Sequence, residues 1–193
     1  MGYEPEKHHR RSIRLKGYDY SLPGAYFVTL LCYRRRRLFG EINAGIIKHS
    51  EIGKAIHDCW LNVSEHFNFV TLDEFIIMPN HLHGIIFIKE SGGKGEAFDS
   101  DLDVLTSTNA LRLRQVGTQP GSLNAIIQNF KSVSTRLLNK QFFEPENRIW
   151  QRDYYERIIR NERELNAIRQ YVRDNSLNWE VDKEYPGKTD RQG

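Results

Sequence analysis

Apolar residues along the chain follow two periods, one typical of strands and one typical of helices. Ala25 to Cys32 is rich in aromatic and β-branched residues and follows a Pro-Gly turn, which predicts a first strand. Between Ala44 and Val63 the apolar positions recur at steps of three and four, which predicts an amphipathic helix. These positions are Ile52, Ala55, Ile56, Cys59, Trp60 and Val63.

A second and a third strand are predicted to form a hairpin. The segment FVTLDEFIIMPN ends at Pro79-Asn80, a natural turn, and His81 to Lys89 runs back beside it. From Glu90 to Gly121 the composition shifts to Gly, Ser, Asp and Thr with little apolar content. This shift predicts a mobile insertion at about 90–121 rather than a second domain.

Two more helices and one more strand are predicted in the second half of the chain. Ser122 can cap a helix whose apolar positions follow a helical stripe closely. A strand is predicted from Trp150 to Ile159. Asn161 and Glu164 then form a capping box for a last helix that runs to about Asn175.

The order strand, helix, strand, strand, helix, strand, helix predicts an α+β fold. Its first six elements match the ferredoxin-like plan, an antiparallel sheet with helices on one face, and the other face is left for the last helix or a ligand. A length of 193 residues favours one compact domain. We expect this domain at 18–179, between a basic arm at 1–17 and a polar tail at 180–193.

Positive charge is concentrated near the N-terminus, although the net charge is only +3. Clusters of arginine suit polyanions, phosphate backbones above all, because each neutralised phosphate releases a counterion. Solvated surface charge is the equally open alternative for each cluster. The candidate DNA-binding residues in the two clusters are Arg10, Arg11 and Arg14, followed by Arg34, Arg35, Arg36 and Arg37.

Cysteine usage and hydropathy indicate the compartment. Cys32 and Cys59 have neither the spacing of a metal motif nor the density of a disulfide scaffold. No apolar run approaches the roughly 20 residues that a membrane span requires, and no apolar segment follows the basic N-terminus. We therefore expect a cytoplasmic protein that is nucleoid-associated when it is bound to DNA.

Two histidines interrupt the third strand, in the segment MPNHLHGIIFI. Residues two apart on a strand project to one face, so His81 and His83 are expected side by side while Leu82 points away. Two neutral imidazoles in this arrangement are a ready metal chelate. Gly84 is expected to leave open space beside them. Core or surface histidines remain the alternative.

The last helix offers further candidate residues. Its core stripe contains Leu165, Ile168 and Val172, and at 100° per residue Tyr171 and Asn175 lie one turn apart at the edge of that stripe. Both side chains could therefore face a site on the open face of the sheet. The alternative is a boundary tyrosine that packs its ring and an asparagine that ends the helix.

These segments resemble a known family. MPNHLHGIIFI resembles the HUH motif (His, hydrophobic residue, His) of the single-tyrosine HUH transposases. SLNAIIQNFKS, IWQRDYYERIIRNERELNAIRQYVRDN and YFVTL resemble the branch called REP-associated tyrosine transposases. The match spans roughly Tyr18 to Trp179, with an interruption at the insertion. The chain departs at Ser176, where the family commonly has proline after the asparagine, which weakens the helix stop.

The resemblance implies an enzyme with a metal site and a tyrosine nucleophile. His81 and His83 would bind a divalent ion, Mg or Mn, with Asn175 as a further ligand, and Tyr171 on the C-terminal helix would be the nucleophile. Proteins of this type cut single-stranded DNA near a hairpin and link the tyrosine to a 5′ phosphate. The implied partners are DNA hairpins, repeated extragenic palindromes among them. Monomer and homodimer, and a tyrosine acting within its own chain or across a dimer, all stay open.

Further DNA contacts are predicted in the second half of the chain, with a solvated helix face as the alternative for Lys131 and Ser132. The candidate DNA contacts are Lys131, Ser132, Trp150, Gln151 and Arg152. Tyr154 and Tyr155 are interpreted as sheet residues or base-stacking platforms rather than nucleophiles.

Two other functions remain open. One is a DNA-binding module without cleavage, and the other is a metal-dependent hydrolase of small phosphate esters.

Overall fold

The computed structural model describes residues 18–90, 120–143, 147–182 and 184–185. The predicted basic arm, with Arg10, Arg11 and Arg14, lies outside the described residues. So do positions 91–119 of the predicted mobile insertion and most of the predicted polar tail. Within the described ranges, no helix has the length and apolar character needed to cross a lipid bilayer.

Four strands form one antiparallel sheet, and two shorter strands form a separate hairpin. The strands are β1 (Gly24–Leu31), β2 (Gly40–Asn43), β3 (Ile46–His49), β4 (Val70–Met78), β5 (His81–Ile88) and β6 (Tyr155–Ile159), and the helices are α1 (Glu51–His66), α2 (Leu123–Phe142) and α3 (Glu162–Asp174). The sheet has the order β4-β5-β1-β6, and β2 pairs with β3. The predicted α+β, ferredoxin-like arrangement is confirmed.

Helices α1 and α2 cover one face of the sheet and share its larger core. Trp60 of α1 and Phe130 of α2 meet edge to face, with ring centroids 5.0 Å apart. Both rings belong to one buried cluster with Leu82 and Ile86 of β5. Because burial of each large apolar side chain stabilises a fold by about 1.5–3 kcal/mol, this face supplies most of the stability.

Helix α3 covers the opposite face of the sheet. Its buried residues Leu165, Ile168 and Val172 form a second cluster with Ala25 of β1 and Ile85 of β5. Alternate residues of β5 thus belong to different cores, because successive side chains of a strand point to opposite faces. The predicted core stripe of the last helix is confirmed, and it brings α3 onto the face that the first six elements leave open.

Side-chain caps begin all three helices. Ser50 accepts a hydrogen bond from the Gly53 amide at 3.0 Å, and Ser122 accepts one from the Ala125 amide at 3.2 Å. Asn161 accepts one from the Glu164 amide at 2.9 Å. Such caps satisfy amides that have no partner within the helix. The predicted starts of α2 and α3 are confirmed.

Two predicted boundaries are wrong. The predicted helix region from Ala44 is occupied at first by the β2–β3 hairpin, whose turn places Ala44 at φ 50° and Gly45 at φ 78°, and α1 begins only at Glu51. The strand predicted from Trp150 begins only at Tyr155, and Trp150 forms an isolated bridge with Cys32. Short segments carry too few periods for the hydrophobic pattern to locate such breaks.

Gly84 does not leave open space beside the histidines. It faces α1 on the other side of the sheet, where an added Cβ would lie 2.4 Å from Cζ2 of Trp60. The expectation of a gap is therefore wrong. The missing side chain instead admits the indole ring, so that α1 packs directly on the backbone of the strand that carries the histidines.

We expect Gly84→Ala to lower the free energy of unfolding by about 1–3 kcal/mol, because the added methyl overpacks a rigid core. Urea unfolding measures this loss. In a Trp60→Phe background the smaller ring leaves room for the methyl, and the loss caused by Gly84→Ala should shrink. An equal loss in both backgrounds would show that the indole contact is not the cause.

Candidate active site

The two histidines lie at the start of β5 on the face that α3 covers. His81 pairs in register with Leu31 of β1, and His83 pairs with Thr29. The side chains of His81 and His83 are 0% and 3% exposed, and their Nε2 atoms lie 3.0 Å apart. A central strand therefore holds both imidazoles side by side in a buried position.

Hydrogen bonds fix the orientation of both rings. The Nδ2 of Asn80 donates to the carbonyl oxygen of Glu184 at 2.8 Å, which turns the Asn80 Oδ1 toward His81 Nδ1, also at 2.8 Å. Because that oxygen can only accept, His81 Nδ1 carries the hydrogen and its Nε2 keeps a lone pair. His83 Nδ1 lies 2.8 Å from the hydroxyl of Thr29. Partners of this kind orient histidines that bind metals.

Both imidazoles are neutral at physiological pH. Burial lowers the pKa of His81 to about 3, and the positive charge of Arg35 adds to this shift. Burial and then the neighbouring His81 hold the pKa of His83 well below its usual value, although Asp182 acts in the opposite direction. Neutral imidazole is the form that binds a metal ion.

Tyr171 reaches the histidine pair from α3 of the same chain. Its Oη lies 3.3 Å from His83 Nε2, and its ring stands edge-on to His83 and Phe27, with centroids 5.3 and 6.0 Å away. The residue as a whole is 47% exposed. Burial, followed by the charge of Asp182, raises the pKa of the Tyr171 phenol. A nearby positive charge is needed for it to ionise at neutral pH.

Two oxygen donors adjoin the histidine pair. Asn175, at the end of α3, is 1% exposed, and its Nδ2 donates to Asp182 Oδ2 at 3.3 Å. Within the described residues its Oδ1 has no hydrogen-bond partner. The candidate ligand atoms of His81, His83 and Asp182 lie within 4.8 Å of one another. Two neutral imidazoles, a buried carboxylate and an orphaned amide oxygen are a donor set that fits a divalent ion.

Asp182 is the site residue that the sequence reasoning missed. It follows a short 3-10 turn at Trp179–Val181, within the segment predicted to be a polar tail, and the backbone amide of Glu184 donates to its Oδ1 at 2.5 Å. A single carboxylate beyond the last helix has no periodic neighbours, so no hydrophobic pattern marks it. Its only sequence signal is its closeness to Asn175, seven residues earlier.

The four consecutive arginines divide into two pairs. Arg35 forms an ion pair with Glu184 at 2.9 Å, and Arg36 donates to two backbone carbonyl oxygens. Arg34 and Arg37 are exposed, and Arg37 lies over the aromatic rings of the turn that follows α3. Arg35 and Arg36 thus stabilise the loop after β1, and Arg34 and Arg37 present positive charge on the surface. DNA contact stays a prediction for all four.

The DNA-binding residues predicted around α2 line a separate cleft. Ser132 and Arg152 are exposed on its two walls, and Gln151 is half-buried between them. Lys131 instead donates to the backbone carbonyls of residues 151, 152 and 153, at 2.9, 3.3 and 3.1 Å. Trp150 is 7% exposed, and its indole N–H donates to a serine hydroxyl of α2. Lys131 and Trp150 thus build the cleft, and contact of all five residues with DNA stays a prediction.

Neither of the competing tyrosines takes the position of Tyr171. Tyr154 precedes β6, and its ring centroid lies 5.3 Å from Lys131 Nζ. Tyr155 pairs with Thr29, which also pairs with His83, so Tyr155 faces the same side of the sheet as His83. Strand β1 lies between the two residues. At 40% exposure Tyr155 stays a candidate for base stacking.

Three comparisons with known proteins show what this chain is similar to. The family model described as "Transposase IS200 like" matches residues 117–175. An uncharacterized protein of Haemophilus influenzae is 39% identical over 185 residues, which cover 95% of this chain and 97% of the relative. The structure of a REP-associated tyrosine transposase bound to a REP hairpin has a TM-score of 0.54 at 16% identity, covering 85% of this chain and 73% of that chain. A candidate transposase from Deinococcus radiodurans has a TM-score of 0.44 at 14% identity, covering 83% and 95%.

The match to the transposase family model, together with the shared fold, indicates a transposase-like DNA-processing protein. Residues 117–175 match the model of the IS200-like transposases, and the Haemophilus influenzae protein is a relative over almost the whole length. The matched region contains α2, β6 and α3 and therefore includes Tyr171 and Asn175. The resemblance drawn from the sequence is confirmed at the level of the family.

Ion pairs fasten α3 to the edge strand β4. Arg169 contacts Asp73 with Nε at 3.1 Å and Nη2 at 2.6 Å, and the more exposed Arg173 pairs with Glu74 at 2.5 Å. The β4–β5 register shifts between Leu72 and Phe75. Such an irregularity re-aims side chains, so two consecutive carboxylates can serve one helix.

We expect Arg169→Gln to lower the free energy of local opening of α3 by about 1 kcal/mol. The substitution removes a partly buried bidentate ion pair and leaves the Asp73 carboxylate without its arginine partner. Hydrogen exchange measures the effect as faster exchange of the α3 amides at unchanged protection of β5. Arg163→Gln, at an exposed position of the same helix, is the matched control. Equal acceleration by the two variants would contradict a role of the Asp73 pair in holding α3.

Proposed function

We propose that the protein is a metal-dependent enzyme that cuts single-stranded DNA near hairpins and rejoins it through a covalent 5′-phosphotyrosine. The observation that carries this proposal is the position of Tyr171 Oη, 3.3 Å from His83 Nε2 and beside the buried group of His81, His83 and Asp182. The match of residues 117–175 to the model of the IS200-like transposases supports the class of reaction. The REP hairpin bound to the solved transposase of similar fold supports a DNA hairpin as partner. A DNA substrate is consistent with the predicted cytoplasmic location.

Tyr171 forms the covalent bond in this proposal. Its phenolic oxygen bonds to the phosphorus of the scissile phosphate, the bond to the 3′ oxygen breaks, and that oxygen takes up a proton and leaves as a hydroxyl. The phosphotyrosine conserves the phosphoester bond, so another 3′ hydroxyl can reverse the step and join a new strand. Packing against Phe27 and His83 orients the attacking oxygen before DNA binds.

His81, His83, Asp182 and Asn175 would hold the divalent ion. When it is bound, the ion supplies Lewis-acid polarisation of a phosphate oxygen and a positive charge beside the phenol. The partners on Nδ1 of each histidine keep both Nε2 atoms directed into the site. Because the set combines imidazole nitrogens with a carboxylate, we expect Mn to bind more tightly than Mg.

The nucleophile is tested with a DNA hairpin that has a single-stranded flank and is labelled at its 3′ end. A 5′-phosphotyrosine retains this label on the protein, so wild type with Mn should give a labelled band that resists denaturation. Tyr171→Phe should abolish the band, because phenylalanine has no oxygen to bond to phosphorus, and Tyr155→Phe should retain it.

An undiminished adduct in Tyr171→Phe would exclude this residue as the nucleophile. Tight hairpin binding by wild type without an adduct under any metal condition would instead favour the non-cleaving DNA-binding protein. A label at the 5′ end provides a polarity control, because that label should leave with the released strand.

The metal site is tested by titrating the protein with Mn in the absence of DNA and following free Mn by electron paramagnetic resonance. We expect Asp182→Asn to weaken Mn binding at least about tenfold, because a charged ligand is replaced by a neutral one. Glu180→Gln, on the adjoining turn, removes the same charge at an exposed position and should leave the affinity unchanged. Equal weakening by both variants would show that only the overall charge matters and would remove Asp182 from the ligand set.

A further inference from the structure

A cleft of about 440 Å³ lies between α2 and the segment 147–152 that faces it. Its described walls carry four cationic side chains and several hydroxyl and amide groups, and no carboxylate lines them. Arg136, Arg148 and Arg152 are exposed at the rim, with Ser132 beside them. Cations that converge on one concavity attract an anionic ligand.

The walls of the cleft are held by internal hydrogen bonds. The ammonium group of Lys131 donates to three successive carbonyls of the facing segment, and burial lowers the pKa of Lys131 to about 8. At the other end, Asn139 Nδ2 donates to the carbonyl of Asn147 at 3.1 Å. The Lys131 ammonium and the Asn139 amide nitrogen are thus engaged within the protein, while the rim arginines face the cleft.

The cleft lies at the same end of the sheet as the histidines. The backbone amide of Gln151 donates to the carbonyl of Leu31 at 2.8 Å, and Leu31 pairs in register with His81. Two strand spacings, about 10 Å, therefore separate the backbone of Gln151 from that of His81. The cleft lies on the α2 side of the sheet and Tyr171 on the α3 side, so a strand that leaves the cleft would reach Tyr171 by passing around this end of the sheet.

We propose that this cleft binds the single strand of DNA that adjoins the cut, with its phosphates against Arg136, Arg148 and Arg152. The volume is of the size that admits one nucleotide rather than a duplex. A positive groove that follows the backbone is the common way of binding single-stranded DNA. This inference rests on the proposed function and adds to it a second site, which binds the strand without taking part in the chemistry.

The test measures binding by fluorescence anisotropy in EDTA, so that no cleavage occurs. The probes are a DNA hairpin with a single-stranded flank and the same hairpin with a blunt end. The full chain is compared with Arg136→Gln/Arg152→Gln and with the matched control Arg160→Gln/Arg163→Gln. Arg160 and Arg163 are exposed beyond Ile159, which pairs with Ala25 at the opposite end of β1.

We expect the cleft variant to bind the flanked hairpin about tenfold more weakly and the blunt hairpin as wild type does. Because each phosphate contact to a single strand contributes about 0.7 to the salt dependence of log K, the slope for the flanked probe should fall by about 1.4. Equal losses in the cleft and control variants, or equal losses for both probes, would overturn the proposal. Tighter binding of a matching RNA flank than of the DNA flank would also overturn it.

Two further measurements keep the test decisive. Arg148→Glu, assayed alone and checked for an unchanged thermal midpoint, should weaken binding of the flanked probe more than Arg148→Gln does, and equal effects would count against a phosphate contact. If wild type forms no covalent adduct but the cleft variants still bind the flanked hairpin more weakly, the proposed chemistry is wrong and the proposed strand-binding role of the cleft is supported. If the adduct forms and the cleft variants bind both probes normally, only the cleft fails.

Discussion

The site depends on the packing of α3 against the second face of the sheet. Three aliphatic side chains of this helix, Leu165, Ile168 and Val172, are buried with residues of β1 and β5, and each such burial stabilises by about 1.5–3 kcal/mol. Tyr171 and Asn175 lie beside this stripe and take their positions from it. An apolar contact therefore sets the distance between the phenol and the imidazoles, and the ion pairs to β4 add to its precision.

Strand β5 contributes to the core with one set of alternating side chains and to the candidate site with the other. On one face Leu82 and Ile86 belong to the larger core, while on the other His81 and His83 continue the line of Ile85. Buried imidazoles need polar partners, and the turn before β5 and strand β1 provide them. Without a cation, the site combines two neutral rings, a phenol with a raised pKa and a buried carboxylate. This electrostatic balance favours the binding of positive charge.

Local patterns in the sequence predict most of the fold and the positions of three of the four proposed ligands. Two-residue and four-residue spacings place His81 with His83 and Tyr171 with Asn175, and polar caps mark the starts of α2 and α3. Alternation alone also places Gly84 on the Leu82 face, so the expected gap beside the histidines conflicts with the pattern that predicts their pairing. The break before Tyr155 and the position of Asp182 depend on tertiary contacts, namely the hydrogen bonds of Lys131 and a turn beyond α3. Periodicity does not contain such contacts.

The short turn after α3 has a consequence for where the catalytic unit ends. A chain cut after Asn175, where the match to the family model stops, would retain Tyr171 and both histidines. It would lack Asp182 and also the Glu184 carbonyl that turns Asn80 toward His81. Truncation at the last helix would thus remove one candidate ligand, Asp182. It would also remove the hydrogen bond that orients Asn80 and thereby fixes the tautomer of His81. Under the proposed function, the minimal active fragment would be set by these ligands and hydrogen bonds rather than by the end of regular secondary structure.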